Sequence, residues 1–176
     1  MTPMDAALIA EACTKSSVVW VRTVASPRNH LAWHVWHENA VHVVYGVAEQ
    51  SLPMLTGQVE VVVPSKDSRA RLITFVAQAD LLPSGSPAWV SAADALSASR
   101  LNTRDPHRQR DRWSSAALIT RLAPSYLVSA GPGDDGTPAG RMPPPESAAA
   151  TVGTHRPWHL RGRAGARRAG RRPTGG

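Results

Sequence analysis

The sequence predicts a mainly β (α+β) domain, six strands curled into a small barrel, with two or three peripheral helices and a C-terminal tail without fixed structure. Three observations predict it. Apolar periodicity runs in the order helix, five strands, helix, strand, and consecutive strands joined by short links pair antiparallel and curl. Two pairs, Thr2-Pro3 and Ser86-Pro87, place a capping hydroxyl and a proline where helices begin. Beyond Gly131 the composition turns to Gly, Pro, Ala and Arg, with too little apolar surface to offset the entropy of ordering. The expected domain covers residues 1–130 and the tail 131–176.

After Thr2-Pro3, Met4 to Cys13 supplies good helix formers, and Lys15-Ser16-Ser17 ends them. Ser17 to Thr23 is rich in β-branched and aromatic residues and predicts the first strand. Ser26-Pro27-Arg28-Asn29 predicts a turn. His30–His37 and Ala40–Gly46 follow as strands separated only by Glu38-Asn39, a two-residue hairpin loop in which Asn tolerates positive φ. In that register His37 faces Ala40, Trp36 faces Val41, Val35 faces His42 and Trp33 faces Val44. One face then carries Trp33, Val35, His37, Ala40, His42 and Val44, and the other His34, Trp36, Val41, Val43 and Tyr45. Both are largely apolar, so the hairpin is expected to be covered on both sides.

The link Val47–Gly57 contains one expected helical turn at Leu52–Leu55. Gln58–Val63 and Arg71–Leu82 are strands joined by a turn over Pro64–Ala70. Ser86-Pro87 opens a helix with Trp89, Ala93, Leu96 and Arg100 along one face. Asp105-Pro106 opens a short charged helix to Trp113. Ala116–Leu122 is the last strand, stopped by Pro124.

The 176-residue chain has net charge +7. Seven arginines and no acid follow Glu146, whereas residues 1–146 hold 13 Lys/Arg against 13 Asp/Glu. The basic balance belongs to the tail, so no nucleic-acid partner is expected for the body. One cysteine, Cys13, excludes an internal disulfide. No run approaches ~18 consecutive apolar residues, so no membrane span is expected. Met1–Asp5 lacks a basic leader segment, and a cytoplasmic protein is expected.

Four histidines, His30, His34, His37 and His42, lie close in sequence, but alternation leaves only His37 and His42 on one face, a poor zinc site without a nearby acid or thiolate. Trp33 and Trp36 can stack on a flat ligand or fill a core. On alternating positions they do not line one surface. Ser65-Lys66-Asp67-Ser68-Arg69 with Arg71 concentrates three cations in a turn, a phosphate cradle or a solvated loop. Cys13 has only Lys15 nearby to activate it, and nucleophile elbows, phosphate-binding glycine loops and dinucleotide fingerprints are absent.

Trp33–Tyr45, with its aromatic-rich strand, tight turn and apolar strand, then Gln58–Val63, Arg71–Leu82, the Ser86-Pro87-Ala88-Trp89 helix and Leu118–Pro124, resemble the pyridoxamine 5′-phosphate oxidase-like split barrels, including actinobacterial flavin- and deazaflavin-binding branches. The resemblance implies a six-stranded split barrel that forms a homodimer through its barrel faces, one hairpin face serving the core and the other the second copy. It implies FMN or a deazaflavin in a groove between subunits, with the cofactor supplying hydride or electron transfer. Given that resemblance, hairpin position and charge set Trp36 or Tyr45 against the ring, Gly46 and Gln50 as close backbone and amide contacts, and Lys66 and Arg71 at the phosphate. Where flavin-binding members carry an Arg/Lys pair after this strand, the chain has Val47-Ala48-Glu49-Gln50-Ser51, and a carboxylate at Glu49 repels a phosphate by on the order of 1 kcal/mol. That departure supports an alternative, a split-barrel dimer without cofactor that serves as a binding or structural module.

Overall fold

The cap-plus-proline pairs start helices where expected. In the computed structural model, which describes residues 1–65, 71–100 and 108–131, α1 (Pro3–Lys15) opens with a reciprocal cap: Thr2 Oγ1 accepts from the Asp5 N–H at 3.1 Å and Asp5 Oδ2 accepts from the Thr2 N–H at 3.0 Å. Ser86 Oγ likewise accepts from the Trp89 N–H at the start of α2 (Pro87–Ser99). A third helix, α3 (Gln109–Ala116), lies where the charged segment predicts one. Its expected start at Asp105-Pro106 lies outside the described residues, as do Lys66–Ala70 and the whole tail beyond Gly131.

The strands are β1 (Val18–Thr23), β2 (His30–Trp33), β3 (Val35–His37), β4 (Ala40–Gly46), β5 (Gly57–Pro64), β6 (Arg71–Leu81) and β7 (Ala117–Ala130). They form one antiparallel sheet in the order β2-β1-β5-β6-β7-β4-β3. The β3–β4 hairpin has the expected two-residue turn, with Glu38 and Asn39 both left-handed at φ 46° and 57°. Val35 opposite His42, Trp36 opposite Val41 and His37 opposite Ala40 are also as read.

Seven strands replace six because the run His30–His37 is two strands. Its first half pairs with β1, Val18 opposite Trp33, and its second half with β4. The two ends of the sheet are therefore consecutive in sequence, and the chain passes from one edge to the other at His34. Trp33 consequently pairs with Val18 and not with Val44. No sequence periodicity marks this change of partner, because both halves keep strand-like side chains.

The last strand is also longer than expected. β7 runs through Pro124 to Ala130. Pairing with β4 ends at Leu122 opposite Val41, so a second neighbour does not need the missing Pro124 N–H. On the β6 side the register shifts between Ala77–Pro124 and Val76–Tyr126, a bulge that accommodates the proline. Leu52–Leu55 forms no helical turn; Leu55 inserts into the core as irregular chain.

Two apolar clusters hold the molecule. The barrel interior packs Val19, Val21, Val41, Val43, Val61 and Phe75 under Ile9 of α1. A second cluster on the outside of β4 and β7 packs Val44 and Ile119 against Trp89 and Leu96 of α2 and Trp113 of α3. Each fully buried side chain of this size contributes about 1.5–3 kcal/mol. The outer hairpin face, which the resemblance assigned to a partner copy, is thus covered at Val44 by helices of the same chain.

Candidate functional site

Where β2 and β3 part, the barrel wall opens into a groove of about 810 Å³. Its floor is the strand break itself: Trp33, His34, Val35 and Trp36. Trp20 and Leu31, a cross-strand pair on β1 and β2, form one wall. The end of α1 (Cys13–Lys15), Ser16, Ser17, Pro64, Ser65 and Ser99 complete it. Trp33 packs towards the helix cluster and Trp36 towards the barrel interior. Both nevertheless line the one groove, contrary to strict alternation, because the chain leaves the sheet at His34 between them. Trp20 is 38% exposed and Leu31 50% exposed, an apolar surface open to a ligand.

His34 is buried at the centre of this floor. Its Nε2–H donates to the Cys13 carbonyl at 3.1 Å, which leaves Nδ1 as a neutral, buried acceptor without a partner among the described residues. Burial holds its pKa down to about 4. Burial likewise pushes the Cys13 thiol up to about 12, so a cysteine beside the groove is inert as a nucleophile. Lys15 is the cation at the rim, joined to Glu11 in an exposed pair. The hydroxyl of Ser16 is engaged with the Val18 carbonyl at 2.6 Å.

The expected site residues separate. Trp36 lines the groove. Gln50 stands behind it, its amide bonded to Trp33 and Val44: Oε1 accepts from the Trp33 N–H at 2.7 Å, and Nε2 donates to the Trp33 carbonyl at 2.9 Å and the Val44 carbonyl at 2.8 Å. Tyr45 lies in the barrel interior, 3% exposed, its hydroxyl 3.1 Å from Thr120 Oγ1 and accepting from the Leu55 N–H. Gly46 is the last residue of β4, at φ +130° and against the Ala116 carbonyl. Arg71 opens β6 opposite Pro64, one of the groove residues, and Lys66 lies outside the described residues. Trp20, Trp33, His34 and Lys15 join the site without having been read as a set. Trp33 and Trp36 were visible as a pair, but a two-residue repeat conceals a strand that changes edges.

Glu49 has a separate environment. Its carboxylate is 11% exposed and takes Arg100 Nη1 at 2.6 Å, Trp113 Nε1 at 2.8 Å and Gln109 Nε2 at 3.4 Å, beside a 490 Å³ cavity between the β4 end and α3. The charge set against a phosphate is therefore neutralised by an arginine from α2's end. His37 and His42 do share a face, ring centroids 5.8 Å apart. Their setting is a tie between hairpin and helix: the Ser91 hydroxyl donates to Glu38 at 2.9 Å, so His37 Nε2–H donates to Ser91 at 2.8 Å. Among the described residues no three His, Cys, Asp or Glu stand together as metal ligands, and no helix is long and apolar enough to cross a membrane.

No family model matches the chain, nor does any curated protein. Solved structures do. The conserved hypothetical protein Rv2991 of Mycobacterium tuberculosis aligns at TM-score 0.54 and 15% identity, over 78% of this chain and 89% of that one. HutZ, the heme storage protein of Vibrio cholerae, aligns at TM-score 0.51 and 18% identity, over 70% of this chain and 93% of that one. Likeness at such identity is likeness of fold. The fold shared with them is a curled antiparallel half-barrel, here of seven strands with three helices among the described residues.

Proposed function

We propose that this chain binds a flavin, FMN, or a deazaflavin at the strand-break groove and acts as an oxidoreductase-type protein of the pyridoxamine 5′-phosphate oxidase-like family. The observation that carries the reading is a groove of about 810 Å³ walled by Trp20, Trp33 and Trp36. That volume falls within the ~300–1,000 Å³ of small-molecule sites, and indole faces stack on flat heteroaromatic rings. The residues fit such a group: three indoles for the ring, and Lys15 with the Ser17 and Ser65 hydroxyls for an anionic tail. Arg71, opposite Pro64, stands next in line for the tail. A bound flavin supplies hydride or electron transfer; the chain's part is to bind it, orient it and exclude water. The homodimer implied by the resemblance belongs to this proposal, as does a cytoplasmic setting. The cofactor-free alternative is less favoured, since the Glu49 carboxylate is paired with Arg100 and its repulsion of a phosphate is offset.

The test is binding by the full chain. FMN or a deazaflavin in hundredfold excess over Kd adds about 2.7 kcal/mol to stability, read as a higher melting temperature together with quenched tryptophan emission. Trp36→Ala abolishes both effects. A melting temperature unmoved by either cofactor overturns the reading, and a Soret band on adding hemin with no flavin response redirects it to heme, the ligand of the fold neighbour HutZ.

A further inference from the structure

We propose that Gln50 is the positioning residue of the groove, selecting flat ligands by holding Trp33 where a neighbouring strand is missing; the proposal rests on the groove being the ligand site.

At Trp33 the backbone has β1 on one side only. On the other side the sheet has ended, and β4, whose Val44 carbonyl Gln50 reaches, lies one strand in from the opposite edge. The Gln50 side chain spans this gap. A primary amide offers one acceptor and two N–H donors, and all three are used: on the Trp33 N–H, the Trp33 carbonyl and the Val44 carbonyl, at 2.7–2.9 Å. It thus supplies Trp33 with the donor and acceptor that a peptide unit of an adjacent strand would present.

Gln50 is itself fixed. The Gln50 carbonyl accepts from the Gly46 N–H at 3.2 Å, and the Glu49 N–H donates to the Gly46 carbonyl, closing a tight loop at the end of β4. The loop's Ala48 is left-handed at φ 64°. The distance between the end of β2 and β4 is therefore set by the length of one glutamine side chain on a short, closed loop. Trp33 and Trp36 are on either side of that seam, so Gln50 fixes where one groove indole lies relative to the other.

The test compares the parent, Gln50→Met, Gln50→Glu and Trp33→Leu, each singly and the Gln50 variants also combined with Trp33→Leu. The probes are lumichrome, a bare flavin ring, and FMN. Losing one well-placed aromatic contact lowers affinity about tenfold, so Gln50→Met is expected to bind both probes about tenfold more weakly than the parent. In the Trp33→Leu background the same change has no further effect, because Gln50 acts through Trp33. A merely structural glutamine weakens binding equally in both backgrounds, and that result overturns the proposal. Gln50→Glu keeps the acceptor for the Trp33 N–H and remains informative should Gln50→Met fail to fold. The near-UV dichroism that Trp33 contributes, taken as parent minus Trp33→Leu, needs no ligand and is expected to change in both Gln50 variants. If the parent binds neither probe while this signal still changes, the cofactor reading falls and the positioning of Trp33 stands. An unchanged signal overturns the positioning itself.

Discussion

Glu49→Ala removes one carboxylate from a nearly dry nest and leaves its donors behind. Arg100 is 27% exposed and can recover part of its hydration, whereas the Trp113 indole, 1% exposed, loses the acceptor of its N–H. Removing one partner of a buried ion pair costs ~3–5 kcal/mol, and the partial exposure of Arg100 puts this case near the lower end. An unsatisfied buried N–H such as that of Trp113 is worth ~1–3 kcal/mol by itself. The expected loss is thus about 3 kcal/mol, or roughly 10–15 °C in Tm for a domain of this size. Glu49→Gln keeps an acceptor for Trp113 and gives up only the charge, so it loses about 1 kcal/mol. Glu49→Arg sets two guanidinium groups together and destabilises at least as much as alanine. Urea unfolding followed by tryptophan emission measures all three, with the m-value checking that the unfolding unit is unchanged. A Glu49→Ala midpoint within about 0.5 kcal/mol of the parent would falsify the claim that this carboxylate anchors α2's end and α3 to the barrel.

Other outcomes follow from single groups. His34 and His42 have pKa values pushed down to about 4, chiefly by burial, with His37 and Arg121 adding to the effect at His42. Both are neutral when folded and become charged below about 6.5 when unfolded, so their stabilisation is full above pH 6.5 and is lost as pH falls towards 4. The urea midpoint should fall steeply between those pH values, and His34→Gln or His42→Asn should flatten the slope; parallel curves for parent and variants would refute the assignment. The Cys13 thiol, buried and pushed up to about 12, is expected to react with a disulfide reagent only in denaturant, and prompt labelling of native protein would show that α1 opens. In Gly46→Ala the new Cβ meets the Ala116 carbonyl at 3.0 Å with φ at +130°, a cost on the order of 1–3 kcal/mol; an unchanged Tm would mean that the β4–β7 junction yields.

The local elements were legible because their causes are local. Thr2 and Ser86 cap helices with their own hydroxyls, prolines at the first helical position need no donor, and Asn39 accepts the left-handed turn that a two-residue hairpin requires. The two apolar faces of the hairpin were also legible, but not what covers them. Val44 meets Trp89 and Leu96, residues roughly fifty positions away, and no pattern within the hairpin specifies that packing. Pro124 shows a similar limit. A proline stops a strand only where a neighbour needs its N–H, and the pairing of β7 with β4 had already ended at Leu122 opposite Val41.

The candidate site divides along the same line. Sequence alone determined that Trp33 and Trp36 are in extended chain just before a tight hairpin; their use on a ring was an expectation of the resemblance. The sequence also placed an acid, Glu49, where the resemblance led one to expect a cation. Tertiary structure decided that the strand changes edges at His34, that both indoles therefore open into one groove, that Gln50 closes the seam and that Glu49 belongs to Arg100 and Trp113. The physical reason is the range of the forces involved: capping and turn geometry are set within a few residues, whereas a hydrogen-bond partner left over at a sheet edge is chosen by whatever the folded chain brings within about 3 Å.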